Sequence, residues 1–340
     1  MGGPSQHHYR AKIAPCKGLW SPDAVLQTSL FIIMNDDSAS IGVLWAACPL
    51  GNPIKLIHSS IQDSFPSIEV VAMKFRPLLL SGLILFSIEI PAAPSPDLER
   101  EQRLKNEIVD AILDGDPIEL KAEGHAFLAI DLPPGEDPKG GVILLHGRAF
   151  HPDWADVIQP LRIGLAEQGW RTLSIQLPVL EKDAKYFDYL PLLPHAEPRI
   201  QAAIDYLKRQ GMDHIVLVAH SCGGHMANHR FHQKGDANIQ AFVGIGMGAT
   251  DYGQPMQQPF AIDKLNVPVL DLYAENDFPA VLRLAPERKA GFKHPKSRQI
   301  MIPGAEHYFV DKGDSLVETV GGWIHGLRDK PRMDTNALPR

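Results

Sequence analysis

Six short apolar runs punctuate the C-terminal two thirds of the chain: Val142–Leu145, Thr172–Leu177, Ile215–Val218, Ala241–Ile245, Val269–Tyr273 and Gln299–Ile302. Between them lie segments whose apolar residues recur at helical spacing, over 157–168, 198–210 and 313–327. Continuous apolar strands are buried on both faces, so this alternation predicts an α/β fold with a mostly parallel central sheet flanked by helices on both faces. Ahead of it, Ile118–Leu132 alternates around Gly124, which predicts two short strands. Residues 97–114 carry Leu98, Leu104, Ile108 and Ile112 among charges. That spacing predicts an amphipathic helix on the edge of the domain, capped by Asp97.

The first 92 residues read differently. Met73-Lys74-Phe75-Arg76 precedes the apolar run Pro77–Ile88, and Pro91-Ala92-Ala93 follows it. Basic, apolar and small residues in that order make a secretory signal. The run is shorter than the roughly 20 apolar residues of a spanning helix, so no stable membrane span is expected. Residues 73–92 are therefore expected to be a signal peptide cut after Ala92, directing the protein to the periplasm or outside the cell. Residues 1–72, which show no sustained period, are then an upstream extension outside the folded domain, and 93–340 form a single domain.

With 340 residues, 44% apolar and 21% charged, the chain has ordinary globular composition. Its net charge of −7 and lack of a basic stripe argue against a nucleic-acid partner. The cysteines Cys16, Cys48 and Cys222 show no zinc spacing, and only Cys222 follows the cut, so no disulfide framework is expected.

The chemistry concentrates in loops after the apolar runs. Ala219-His220-Ser221-Cys222-Gly223 joins a strand to a helical segment. A sharp strand-to-helix turn that exposes a serine hydroxyl needs small residues two before and two after it, here Ala219 and Gly223. A serine hydroxyl needs a base, and the base a group to orient it. His307 follows the last strand and Asp277 the one before, so Ser221, Asp277 and His307 make the candidate catalytic set. Asp251 and Glu275 are rival acids. The Cys222 amide, at a helix start, is one expected oxyanion donor, and the Arg148 amide is the other, with Ala149 as its alternative. His146, Gly147 and His220 are expected to shape their loops. His225 and His229 have the i, i+4 spacing of a metal pair, and His232 follows, but no HExxH pattern completes it and no metal is expected. No glycine-rich phosphate loop is present, and no cofactor is expected.

Taken together, His146-Gly147, the Ser221 turn, the Asp277 loop and His307 resemble the α/β-hydrolase superfamily over roughly residues 118–328. A narrower resemblance is to a family of secreted bacterial α/β-hydrolase-like proteins of unknown function. It is carried by Arg100–Leu104, Ala126–Ala129, His151-Pro152-Asp153-Trp154 and Gly169–Pro178. The narrower resemblance gives no substrate; the candidate residues together predict a serine hydrolase that acts on a small-molecule ester, thioester or related acyl bond. A noncatalytic binding or envelope-assembly protein on the same scaffold, and an acyltransferase with the same residues, stay open. Asp153-Trp154 and Tyr252–Met256 are the expected rim of a rather open site.

Overall fold

The computed structural model describes residues 27–33, 42–48 and 95–328. Two units are distinguished, residues 1–85 and 86–340. In the first, β1 (Gln27–Ile33) and β2 (Gly42–Cys48) pair antiparallel, Gln27 opposite Cys48 and Ile33 opposite Gly42. The sequence reading assigns no element there, because residues 1–72 show no sustained period and their apolar runs are not spaced by helical segments as those beyond Gly141 are. The expected signal segment 73–92 lies outside the described residues.

The second unit opens with α1 (Leu98–Ile108), capped as expected by Asp97, whose side chain accepts from the Arg100 amide at 2.8 Å. The helix is shorter than the 97–114 expectation. A 3-10 turn over Val109–Ala111 follows, and Ile112 is already extended, leading into the next strand. Next come β3 (Asp116–Ala122), β4 (His125–Leu132), β5 (Gly141–Leu145), α2 (Ile158–Glu167) and β6 (Arg171–Ile175). The short α3 (Tyr186–Tyr189) and long α4 (Leu193–Arg209) lead to β7 (Ile215–His220) and α5 (Cys222–Lys234). The chain continues through β8 (Ala241–Ile245), β9 (Val269–Asn276), α6 (Pro279–Ala290), β10 (Arg298–Glu306) and α7 (Gly313–Arg328).

One eight-stranded sheet runs β10-β9-β8-β7-β5-β6-β4-β3. It is parallel from β10 to β6, with β4 and β3 antiparallel at one edge. Alternate strand residues feed two cores. Ile143, Leu145, Ile215 and Leu217 pack with Ile200 of α4 and Met226 of α5. Val142, Leu144, Val216 and Val218 pack with Leu161 of α2 and Val320 of α7. Burial on both faces explains why the strands read as unbroken apolar runs. After β5 the chain crosses to β6 on one side, and after β6 to β7 on the other. The strand order therefore reverses between β5 and β7, and the crevice at the carboxyl ends of such a pair is where open α/β sheets bind ligands.

Helix α1 does more than cover an edge. Its buried Glu101 accepts from Arg199 of α4 at 2.8 Å, and Arg199 also donates to the Gln176 carbonyl at 3.2 Å. This pins the helix beside the carboxyl end of the sheet, where Arg100, Leu104 and Glu107 form part of a cavity wall. Among the described residues no helix is long and apolar enough to cross a membrane.

Candidate active site

Strand β7 ends at His220, helix α5 begins at Cys222, and Ser221 between them has φ 53° and ψ −114°. A side-chain-bearing residue rarely holds positive φ, and here the strain lifts the serine out of the sheet edge. A Cβ at Gly223 would come within 2.7 Å of the His146 carbonyl and 2.8 Å of that of Leu145, so only glycine lets the turn close against β5. Ala219, where a glycine is commoner in such turns, is buried in register with Leu145 and Gly244, and the turn forms with its methyl in the core.

The parallel strands β9 and β10 deliver the other two groups. Ser221 Oγ lies 2.8 Å from His307 Nε2, and His307 Nδ1 lies 2.6 Å from Asp277 Oδ1. A carboxylate can only accept, so Nδ1 carries the ring proton and Nε2 faces Ser221 with a lone pair. Burial by itself would raise the Asp277 carboxyl. The bond from His307, its partial charge, and the Ala274 and Phe278 amides at 3.1 and 2.8 Å outweigh it and hold the group below the usual carboxylate range. The rival acids are engaged elsewhere. Asp251 pairs with the Arg148 guanidinium and accepts the Tyr186 amide at 2.7 Å, and Glu275 accepts the Gly304 amide at 2.8 Å.

The histidines beside the site are fasteners. His220 Nε2–H donates to the His307 carbonyl at 3.1 Å and holds the loop that carries the base. His146 Nδ1–H donates to the Gly147 carbonyl at 2.7 Å, while its Nε2 accepts the Leu177 amide at 2.9 Å. Burial pushes both rings down to about 3, so both are neutral near pH 7 and neither is a base for Ser221. Among the described residues no cluster of three or more metal-ligating side chains occurs. His225 and His232 donate to the carbonyls of Ala249 and Pro259 at 2.8 and 2.9 Å, and His229 accepts from Gln258 at 3.2 Å.

The Cys222 amide belongs to the first helical residue and has no acceptor within the helix. Burial pushes the Cys222 thiol itself up to about 12, so it is no rival nucleophile. Arg148 lies in the loop after β5, and both residues line the same cavity as Ser221. The alternative donor, Ala149, has φ 59° and gives its amide to Tyr189 Oη at 3.2 Å, which leaves Arg148 as the second candidate.

Three contributors escape sequence reasoning. Gly246, just beyond β8, has φ 58°, and a Cβ there would lie 3.0 Å from His307 Cε1. Phe278 stacks on the His307 ring with centroids 4.0 Å apart. Tyr189 anchors the Arg148–Ala149 loop. A glycine immediately after an apolar strand was the available signal for Gly246; Tyr189 offers none. Of the expected rim, Trp154 and Tyr252 line the cavity of about 600 Å³. Asp153 does not, because its carboxylate is drawn into a buried pair with Arg162.

A family model described as "Protein of unknown function (DUF3530)" matches residues 87–187 and 194–325. No curated protein matches the chain. Among solved structures, a dienelactone hydrolase from Anabaena variabilis is similar at 19% identity and a TM-score of 0.52, over 63% of this chain and 97% of that one. Est1E from Butyrivibrio proteoclasticus with ferulic acid bound is similar at 16% identity and a TM-score of 0.50, over 62% and 98%. At such identities the likeness shows the fold, that of the α/β-hydrolases.

Proposed function

The chain belongs to the DUF3530 family, and from that premise and the geometry around Ser221 we propose that it is a serine hydrolase cleaving an ester, thioester or related acyl bond through an acyl-serine intermediate. The observation that carries the reading is the unbroken relay from Ser221 Oγ through His307 to Asp277, at 2.8 and 2.6 Å, opening into a cavity.

Ser221 Oγ attacks the carbonyl carbon as its proton passes to His307 Nε2. The carbonyl oxygen, now negative, is met by the Cys222 and Arg148 amides, the former strengthened by the dipole of α5. Asp277 holds the ring in the tautomer that can accept and stabilises the imidazolium that results. The tetrahedral adduct collapses, the bond to the leaving group breaks, and His307 returns the proton to the departing atom. Water enters by the same route in reverse, leaving a carboxylic acid and free Ser221. No step calls for a cofactor. The signal-like segment at 73–92 supports placing this activity in the periplasm or outside the cell.

The test is labelling by a fluorophosphonate together with turnover of a panel of acyl esters, for the protein and for Ser221→Ala. Labelling and turnover that vanish in the variant are expected. A protein that neither labels nor turns over any ester is a binding scaffold instead. Transfer of the acyl group to added alcohols in preference to water identifies an acyltransferase.

A further inference from the structure

The cavity over Ser221 has two unlike walls. On the Cys222 side three polar groups are already engaged. Arg148 is paired with Asp251, Tyr186 Oη accepts the Gln257 amide at 2.9 Å, and His225 Nε2–H donates to Ala249. On the His307 side ring stands against ring. Phe278 stacks on His307, and Tyr308 meets Phe278 edge-on at 6.0 Å and Phe150 at 5.9 Å. Phe150 in turn stacks on Trp154 at 3.6 Å. Phe278 and Tyr308 remain 36% and 37% exposed, while the fold buries Trp170, Phe231, Phe242 and Phe309 almost completely. Large rings left open at the mouth of a site gain little from folding and much from a ligand.

We infer that the substrate is an ester of an alcohol bearing an aromatic ring, and that this ring lies against Phe278, Tyr308 and the Phe150–Trp154 pair. The inference rests on the serine-hydrolase reading above. His307 must reach the departing oxygen to protonate it, whereas the carbonyl oxygen points to the Cys222 and Arg148 amides. The group on the departing oxygen therefore runs along the wall next to His307, which carries Phe278, Tyr308, Phe150 and Trp154. Ser221 Oγ forms the bond to the acyl carbon, the bond from that carbon to the alcohol oxygen breaks, and the proton held by His307 goes to that oxygen. The freed alcohol leaves past Phe278 and Tyr308, and water then releases the acid. Tyr308 and Phe150 both line the cavity, and their rings can meet an aromatic group by the edge and face contacts it prefers, which a saturated ring of like size cannot reciprocate.

The experiment compares phenethyl acetate with its cyclohexylethyl counterpart, and ethyl phenylacetate with ethyl cyclohexylacetate, on the full chain, alongside fluorophosphonate labelling of Ser221. A kcat/KM about fivefold higher for phenethyl acetate than for the saturated ester is expected. That ratio is expected to collapse to about one in Tyr308→Leu with Phe150→Leu, the variant's fold being checked by circular dichroism. Parity of the two acetates in the unaltered protein, with Ser221 still labelled, overturns the aromatic assignment and leaves the hydrolase reading standing. An aromatic preference confined to the acyl side overturns the placement beside His307. A protein that neither labels nor turns over removes both readings together.

Discussion

The Asp251 carboxylate, in the loop after β8, is bound to the Arg148 guanidinium in the loop after β5, with Nη2 3.3 Å from Oδ1, and it also accepts the Tyr186 amide at 2.7 Å. Three separate segments thus meet on one carboxylate, which holds the Arg148 side chain and with it the loop that carries the Arg148 amide. In the proposed mechanism Asp251 positions an oxyanion donor rather than orienting the base. Losing such a donor outright costs about a hundredfold or more in kcat, and loosening it costs less. Asp251→Asn is expected to lower kcat about tenfold with little change in KM, measured on the best ester of the panel. A loss of about four orders of magnitude would instead make Asp251 the acid of the relay.

Asp277→Asn is the matching test. An amide can donate to His307 Nδ1 and so favours the tautomer that presents a proton, not a lone pair, to Ser221. A fall in kcat of about four orders of magnitude is expected, with folding retained. The Asp277 carboxyl titrates lower in the fold than in the unfolded chain, so its contact with His307 adds stability that is complete above about pH 4 and is lost as pH falls through the folded value.

Both the sheet and the central residues of the site were legible in the sequence, for a physical reason. Strands such as Ile215–Val218 are buried on both faces, and the loops bearing Ser221, Asp277 and His307 follow such strands directly. What the sequence could not disclose depends on approach between distant segments. Tyr189 reaches Ala149 from 40 residues away. The amphipathic pattern of 97–114 announces a helix, but not that Arg100 and Glu107 face the cavity. Asp153 and Trp154 are neighbours in sequence, yet the tryptophan lines the cavity and the aspartate turns to Arg162. The β1–β2 pair was illegible because its apolar runs stand outside the strand–helix rhythm that marks those beyond Gly141.

Gly246→Ala probes how tightly the base is seated. The positive φ of this residue strains any side chain, and the added methyl would press on the His307 ring, on which Phe278 is already stacked. A displacement of about 1 Å in a reacting group can cost about a hundredfold. A fall of that size in kcat is expected beside a stability loss of about 1 kcal/mol by urea unfolding. Wild-type kcat in a folded variant would show that the ring has room to spare.

Beneath the site, Arg288 and Asp271 form a fully buried pair, with Arg288 Nε 2.8 Å from Oδ2, and Arg288 Nη1 also binds the Met247 carbonyl next to Gly246. Removing one partner strands the other charge in the core. Arg288→Met is expected to cost about 3–5 kcal/mol in urea unfolding. Pairing it with Asp271→Asn is expected to restore part of that loss, because no unpaired charge remains. Equal losses in the single and double variants would show that the carbonyl bonds of Arg288, not the ion pair, hold this region.

His146 and His220 contribute to acid stability, together with His151, His214, His225 and His229, whose rings burial also pushes down. Burial pushes the His146 and His220 rings down to about 3 in the fold, whereas a histidine in the unfolded chain takes its proton near pH 6.5. Between those values the unfolded chain binds more protons, so stability falls as pH falls, by ~1.4 kcal/mol per pH unit for each ring. The depressed carboxyls of Asp277 and Asp251 act in the same direction, but only below about pH 4. Loss of stability between about pH 6 and pH 5 therefore reports the histidines rather than these two carboxyls. Urea midpoints across that range are expected to drop steeply in the unaltered protein. His146→Gln keeps a side-chain acceptor for the Leu177 amide and removes one titrating ring, so it is expected to flatten the slope by that ring's share, up to ~1.4 kcal/mol per pH unit. A midpoint that does not change between those two pH values would show that the His146 and His220 rings accept protons in the folded protein.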